Sequence, residues 1–171
     1  MNNFKRQLKY AASGITFAEY PNEVALYIEI SGCPIHCPEC HSKFLWENTG
    51  VALTNDIIKH IIRDSDGITA VVIGGGDQDE EDVLRIARYI KFYFPTLKIC
   101  WYSGKGELTN FMKEHISREK LFNAVKIGPY DSKCGPLDSK TTNQRFYEID
   151  YNSDKGIEMI DKTHLFWKKE M

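Results

Sequence analysis

A chain of 171 residues, 42% of them hydrophobic, can bury a core without disulfides, yet it is too short for a complete eight-fold β/α barrel, which takes about 250 residues. Twenty-two basic against 24 acidic residues leave a net charge of −2, which argues against a protein built to hold nucleic-acid backbone. No apolar run reaches the roughly 18 residues of a membrane span, and the start MNNFKRQLKYAASGITF lacks the apolar stretch of a signal peptide, so no membrane contact and a cytoplasmic protein with reduced thiols are expected.

No repeat or linker divides the chain, so residues 1–171 read as a single domain. Glu23–Ser31 (EVALYIEIS) alternates and is rich in β-formers, which predicts a strand running into Gly32. Thr54–Arg63 sets Ile57, Ile58, Ile61 and Ile62 on one helical face, with Thr54 or Asn55 as N-cap. Ile68–Ile73 (ITAVVI) has the character of a buried parallel strand and ends in Gly74, Gly75 and Gly76. Asp79–Phe94 predicts a helix with acids at its start and Pro95 at its stop. Leu97–Tyr102 predicts a buried strand ending at Ser103-Gly104, Glu107–Glu114 a helix, and Phe122–Ile127 a strand ending at Gly128-Pro129. Arg145–Ile149 suits a fifth strand, and the stretch from Lys155 carries no clear pattern. Strand–helix alternation implies an α/β fold with a mostly parallel sheet. The cysteine-rich segment, the triple glycine, Ser103-Gly104 and Gly128-Pro129 all follow strands, so one composite site at that edge is expected.

Three of the five cysteines, Cys33, Cys37 and Cys40, fall in one short loop at C-x3-C-x2-C spacing, stiffened by Pro34 and Pro38. Such crowding reads as a set of thiolate ligands rather than scattered core thiols. The spacing admits a [4Fe-4S] cluster with three protein ligands and one open iron, or zinc with His36 or His41 as a further ligand. It also admits a C-x-x-C-H haem attachment at Cys37–His41, or a chance group of thiols. A zinc-stabilised binding protein using Cys33, Cys37, Cys40 and His41 is the competitor from a different functional class.

The segments SGCPIHCPECHSKFLW (Ser31–Trp46), GGGD (Gly74–Asp77), WYSGK (Trp101–Lys105) and TNQRFYEI (Thr142–Ile149), in that order, carry a resemblance. Together they resemble the radical S-adenosylmethionine (SAM) superfamily and, within it, the activating proteins of anaerobic (class III) ribonucleoside-triphosphate reductases, over about residues 15–150. The resemblance implies a partial, open parallel β/α barrel of about five strands, a [4Fe-4S] cluster on Cys33, Cys37 and Cys40, and SAM as the second cofactor. It implies an enzyme that cleaves SAM reductively and leaves a glycyl radical on the reductase, its protein partner, with a flavodoxin- or ferredoxin-type electron donor. An enzyme acting on another glycyl-radical protein or on a small molecule is the alternative within the same chemistry.

For the SAM site the resemblance implies Gly74, Gly75, Gly76 and Asp77 at the methionine end, with Ser103 on the carboxylate or ribose. Helix capping is the alternative role for Asp77, and an ordinary turn for Ser103. Glu39 stands where many members carry an aromatic residue near the adenine. His36 and His41 could hydrogen-bond cluster sulfurs and tune the potential.

Overall fold

The apolar runs of the sequence become four neighbouring parallel strands. The computed structural model describes residues 7–154 and 156–167. Its strands are β1 (Lys9–Thr16), β2 (Ala25–Ile30), β3 (Val51–Ala52), β4 (Ala70–Gly74), β5 (Lys98–Tyr102), β6 (Ala124–Ile127), β7 (Arg145–Ser153) and β8 (Gly156–Asp161). They form one sheet in the order β3-β1-β2-β4-β5-β6-β7-β8. The pairs β2–β4, β4–β5 and β5–β6 are parallel; the pairs outside them on both flanks are antiparallel.

Helices α1 (Asn55–Arg63), α2 (Glu80–Tyr93) and α3 (Asn110–Glu119) fill the three crossovers. Each starts at a side-chain cap: Thr54 accepts from Ile57 N–H, Asp79 from Asp82 N–H and Thr109 from Met112 N–H. The capping alternative for Asp77 is thereby corrected: Asp79, two residues on, caps α2. Strand pleating sends Leu26, Ile28, Ile30, Val71, Ile73, Ile99, Trp101 and Val125 to one face, where they pack with Ile58 and Ile62 of α1, Leu84 and Ile90 of α2, and Met112 and Ile116 of α3. The opposite face is a smaller cluster of Tyr20, Val72, Cys100, Tyr102 and Phe146, with Tyr27 and Phe166 packed against it. No α-helix among the described residues contributes to that second cluster.

The structure has eight strands where about five were expected, and its flanks are antiparallel. The added strands β1, β3 and β8 are edge elements. Strand β1 (KYAASGIT) is half exposed and holds Ala, Ser and Gly, which blur a two-residue alternation; β3 spans two residues. Strand β8 begins beside Lys155, which lies outside the described residues, and resolves the patternless stretch that follows it. The predicted fifth strand continues to Ser153 and runs antiparallel to β6. Helix α3 begins at Asn110 rather than Glu107, because Thr109 supplies the cap.

Arg88 of α2 holds Glu119 of α3 through two hydrogen bonds, 2.5 and 2.7 Å, and this arginine keeps the Glu119 carboxyl below its ordinary value. A depressed folded-state pKa contributes stability that is present above the unfolded pKa and lost as pH falls through the folded one. Glu119→Gln is therefore expected to lower stability at pH 7 by about 0.5 kcal/mol, a small figure because solvent screens the half-exposed pair. Urea melts of the two proteins should converge as pH is taken below about 4.

Candidate functional site

Glu29, Gly74, Tyr102 and Lys126 are in register across β2, β4, β5 and β6, so the parallel strands end together. The loops beyond them touch one another. Gly75 N–H donates to Tyr102 O, and Ser103 N–H to Lys126 O. Gln78 Nε2 donates to Ser31 O at 2.7 Å, tying the triple-glycine turn to the entrance of the cysteine loop. The four strand-end segments thus form one edge, as the order of motifs predicts.

The cysteine loop is anchored at its start and end. Ser31, fully buried, donates N–H to Lys9 O and Oγ–H to Thr49 O. Gly32 N–H bonds Glu47 O at 3.2 Å, and Cys33 N–H bonds Leu45 O at 2.8 Å. Between these anchors Cys33, Cys37 and Cys40 are free thiols, each half-buried. Every one of the three sulfurs meets backbone N–H: Ile35 and His36 at Cys33, Tyr130 at Cys37 (3.3 Å), and Ser42 at Cys40 (3.3 Å). Burial pushes the Cys33 thiol up, the Ile35 and His36 amides pull it back in part, and the charges of Asp77 and Cys37 add to the upward push.

N–H dipoles aimed at sulfur stabilise thiolate, the form that binds metal. The donor set therefore suits an iron–sulfur cluster, in which each thiolate meets a different iron. Among the described residues no three His, Cys, Asp or Glu side chains, the three cysteines included, converge on a single metal-ion position. His36, in a left-handed conformation (φ 51°), stacks on Trp46 at 4.7 Å, and His41 lies 4.7 Å from the Tyr130 ring. Hydrogen bonds from Tyr130 N–H to Cys37 and from Ser42 N–H to Cys40 come from the backbone.

Asp77 and Ser103 are buried and bonded to each other: Ser103 Oγ–H donates to Asp77 Oδ1 at 2.5 Å, and Gly104 N–H donates to Asp77 Oδ2 at 2.8 Å. The pair braces the triple-glycine turn against the Ser103-Gly104 turn. Gly75 and Gly76 have φ of 101° and 97°, a region costly for side chains, and a Cβ on Gly76 would meet Val83 at 2.5 Å. A Cβ on Gly74 would strike the Tyr27 ring at 2.4 Å. Trp101, fully buried in the core, donates Nε1–H to Gly75 O and fixes the same turn from beneath.

Glu39 is exposed on the rim of a cavity of about 600 Å³ that Cys37, Ile35, Tyr130, Lys133 and Asn143 also line. The Asn-Gln-Arg segment closes the other side: Asn143 Nδ2 donates to Pro129 O, Gln144 Nε2 to Gly128 O, and Arg145 Nη1 to Thr142 O and Gln144 O.

Two contributions lie beyond sequence reasoning. The Tyr130 amide reaches Cys37 from 93 positions away. Lys126 lies half-buried on the helix-free face with its Nζ 5.2 Å over the Tyr102 ring, and burial pushes its ammonium pKa down. The signal for Lys126 was a lone cation inside the apolar run FNAVKI.

No helix among the described residues is long and apolar enough to cross a membrane. Comparison with curated proteins and with solved structures returns no match. The family described as "4Fe-4S single cluster domain" matches residues 22–147, which span the cysteine loop, the triple glycine, Ser103 and the Asn-Gln-Arg segment. That match covers most of the chain and agrees with the thiolate-stabilising loop: the protein is an iron–sulfur protein and belongs to the 4Fe-4S single cluster domain family.

Proposed function

We propose that the protein is a cytoplasmic radical SAM activating enzyme that generates a glycyl radical on an anaerobic ribonucleoside-triphosphate reductase. The observation that carries this reading is the cysteine loop: three thiols, each with backbone N–H on its sulfur, on one loop at the edge of four parallel strands. Three thiolates are one fewer than the irons of the cluster, which leaves one iron for a small ligand that carries its own amine and carboxylate. The open sheet, with α-helices on one face only, is read as the partial barrel that such chemistry uses.

Cys33, Cys37 and Cys40 would hold three irons. What the cluster supplies when bound is one electron, delivered to the sulfonium of SAM so that the S–C5′ bond breaks to methionine and a 5′-deoxyadenosyl radical. That electron originates in a flavodoxin- or ferredoxin-type donor. Gly75 and Gly76 let backbone approach the methionine end, and Asp77 with Ser103 holds the turn rigid rather than serving chiefly as ligands. Glu39 on the cavity rim, and the exposed His41 against the Tyr130 ring of the cavity wall, border the adenosine end. Loaded in this way, the site would serve hydrogen-atom abstraction from a glycine of the reductase. An entrance wide enough for that glycine loop is consistent with the cavity between the cysteine loop and the Pro129–Asn143 segment.

Anaerobically reconstituted protein should bind about four irons per chain. With dithionite and SAM it should form 5′-deoxyadenosine, and with the reductase it should leave a glycyl-radical EPR signal. Cluster-loaded protein that never cleaves SAM would sink the enzyme reading, whereas a radical on a different protein would redirect only the partner. Cys37→Ser is expected to abolish both the brown colour and the cleavage. Asp77→Ala leaves the Ser103 hydroxyl and the Gly104 amide unsatisfied, so it should destabilise the fold by about 1–3 kcal/mol. It should also weaken SAM binding while iron content stays unchanged.

A further inference from the structure

Trp46 carries a buried Nε1–H with no hydrogen-bond partner. A buried donor left unpaired costs about 1–3 kcal/mol, so its position calls for an acceptor. The one other such donor among the described residues is Trp167 Nε1, which adjoins residues 168–171 outside the described part. Trp46 sits within the cysteine loop. Its neighbours Leu45 and Glu47 accept the N–H groups of Cys33 and Gly32, which ties the backbone on both sides of Trp46 to the start of the cysteine loop. Its ring stacks on His36, the residue before Cys37, at 4.7 Å and 16°, and Lys43 Nζ lies 5.6 Å over the ring. The π faces are thus engaged by cationic or polar neighbours, and the N–H edge alone is unused.

We propose that Trp46 donates its indole N–H to a sulfur of the cluster and thereby sets the cluster's reduction potential. The protein's own sulfurs already take backbone amides, and a cluster brings further sulfur acceptors into the same loop. A hydrogen bond to sulfur stabilises the reduced cluster, which carries one more negative charge, so it raises the potential. His36 acts through the ring it stacks on; it positions Trp46 rather than bonding sulfur itself. The inference rests on the cysteine loop holding the cluster and is independent of what the reduced cluster does next.

The test is a redox titration, followed by EPR, of anaerobically reconstituted protein and of Trp46→Phe. The variant keeps an aromatic ring for His36 and loses only the donor. Its midpoint potential should move to a more negative value with iron content unchanged. In wild-type protein labelled with ¹⁵N at the indole nitrogen, pulsed EPR of the reduced cluster should show a nitrogen coupling that vanishes in labelled Trp46→Phe. Should Trp46→Phe fail to hold the cluster, labelled Trp167→Phe assigns the coupling. There Trp46 and Trp101 alone carry label, and Trp101 is committed to Gly75 O. An unchanged potential, no coupling in the wild type, or a coupling that survives in Trp46→Phe overturns the proposal. Protein that holds the cluster and shows the coupling but never cleaves SAM leaves this inference standing and removes the enzymatic reading. Protein that takes up no iron overturns both.

Discussion

The carboxylate of Asp77, shared between the Ser103 hydroxyl and the Gly104 amide, holds two strand-end turns at a fixed separation. Parallel strands pin their own ends by register, but the loops beyond them have no ladder to follow. Asp77 supplies the missing tie, Trp101 adds another from the core through Gly75 O, and Gln78 extends it to Ser31 at the root of the cysteine loop. The chain of contacts runs from a buried indole, through two glycines in left-handed conformation, to the residue that precedes Gly32 and Cys33. Rigidity at the site is thus inherited from the hydrophobic core rather than generated in the loop.

The two faces of the sheet have different tasks. One is sealed by three helices and supplies most of the apolar burial. The other holds aromatic rings, the half-buried Lys126 and the fully buried Cys100, and takes its cover from loops: Tyr20 packs edge-on against Phe146, and Tyr102 O–H donates to the carbonyl of Glu19. Polar groups on that face feel their burial. Glu19 is pushed up and Lys126 is pushed down, both chiefly by desolvation.

Much of this was legible in the sequence, and the reasons are physical. The apolar runs at Ile68–Ile73 and Leu97–Tyr102 read as buried strands because both faces are covered, and the periodic isoleucines of α1 read as a helix because one face is. The thiol loop was visible because three cysteines at short spacing have few structural uses. What remained hidden depends on contacts remote in sequence. Asp77 looked like a cap or a ligand, and its bonds to Ser103 and Gly104, 26 and 27 positions on, have no local signature. The rings beside the two histidines, Trp46 at His36 and Tyr130 at His41, have no local signature either. Edge strands β1 and β8 escaped because a half-exposed strand carries little hydrophobic contrast.

The sheet has two free edges, β3 and β8, and an edge is a template for another chain's backbone. At the first border β3 covers only Lys9 and Tyr10 of β1, so the remainder of β1 forms the edge, and a bulge between Tyr10 and Ala12 interrupts its ladder. The second carries Glu158 and Asp161, with Asp161 facing Arg145 of the neighbouring strand at 3.7 Å. A bulged strand at one border and charge at the other discourage end-to-end polymerisation, so the chain resists fibre-like assembly at high concentration.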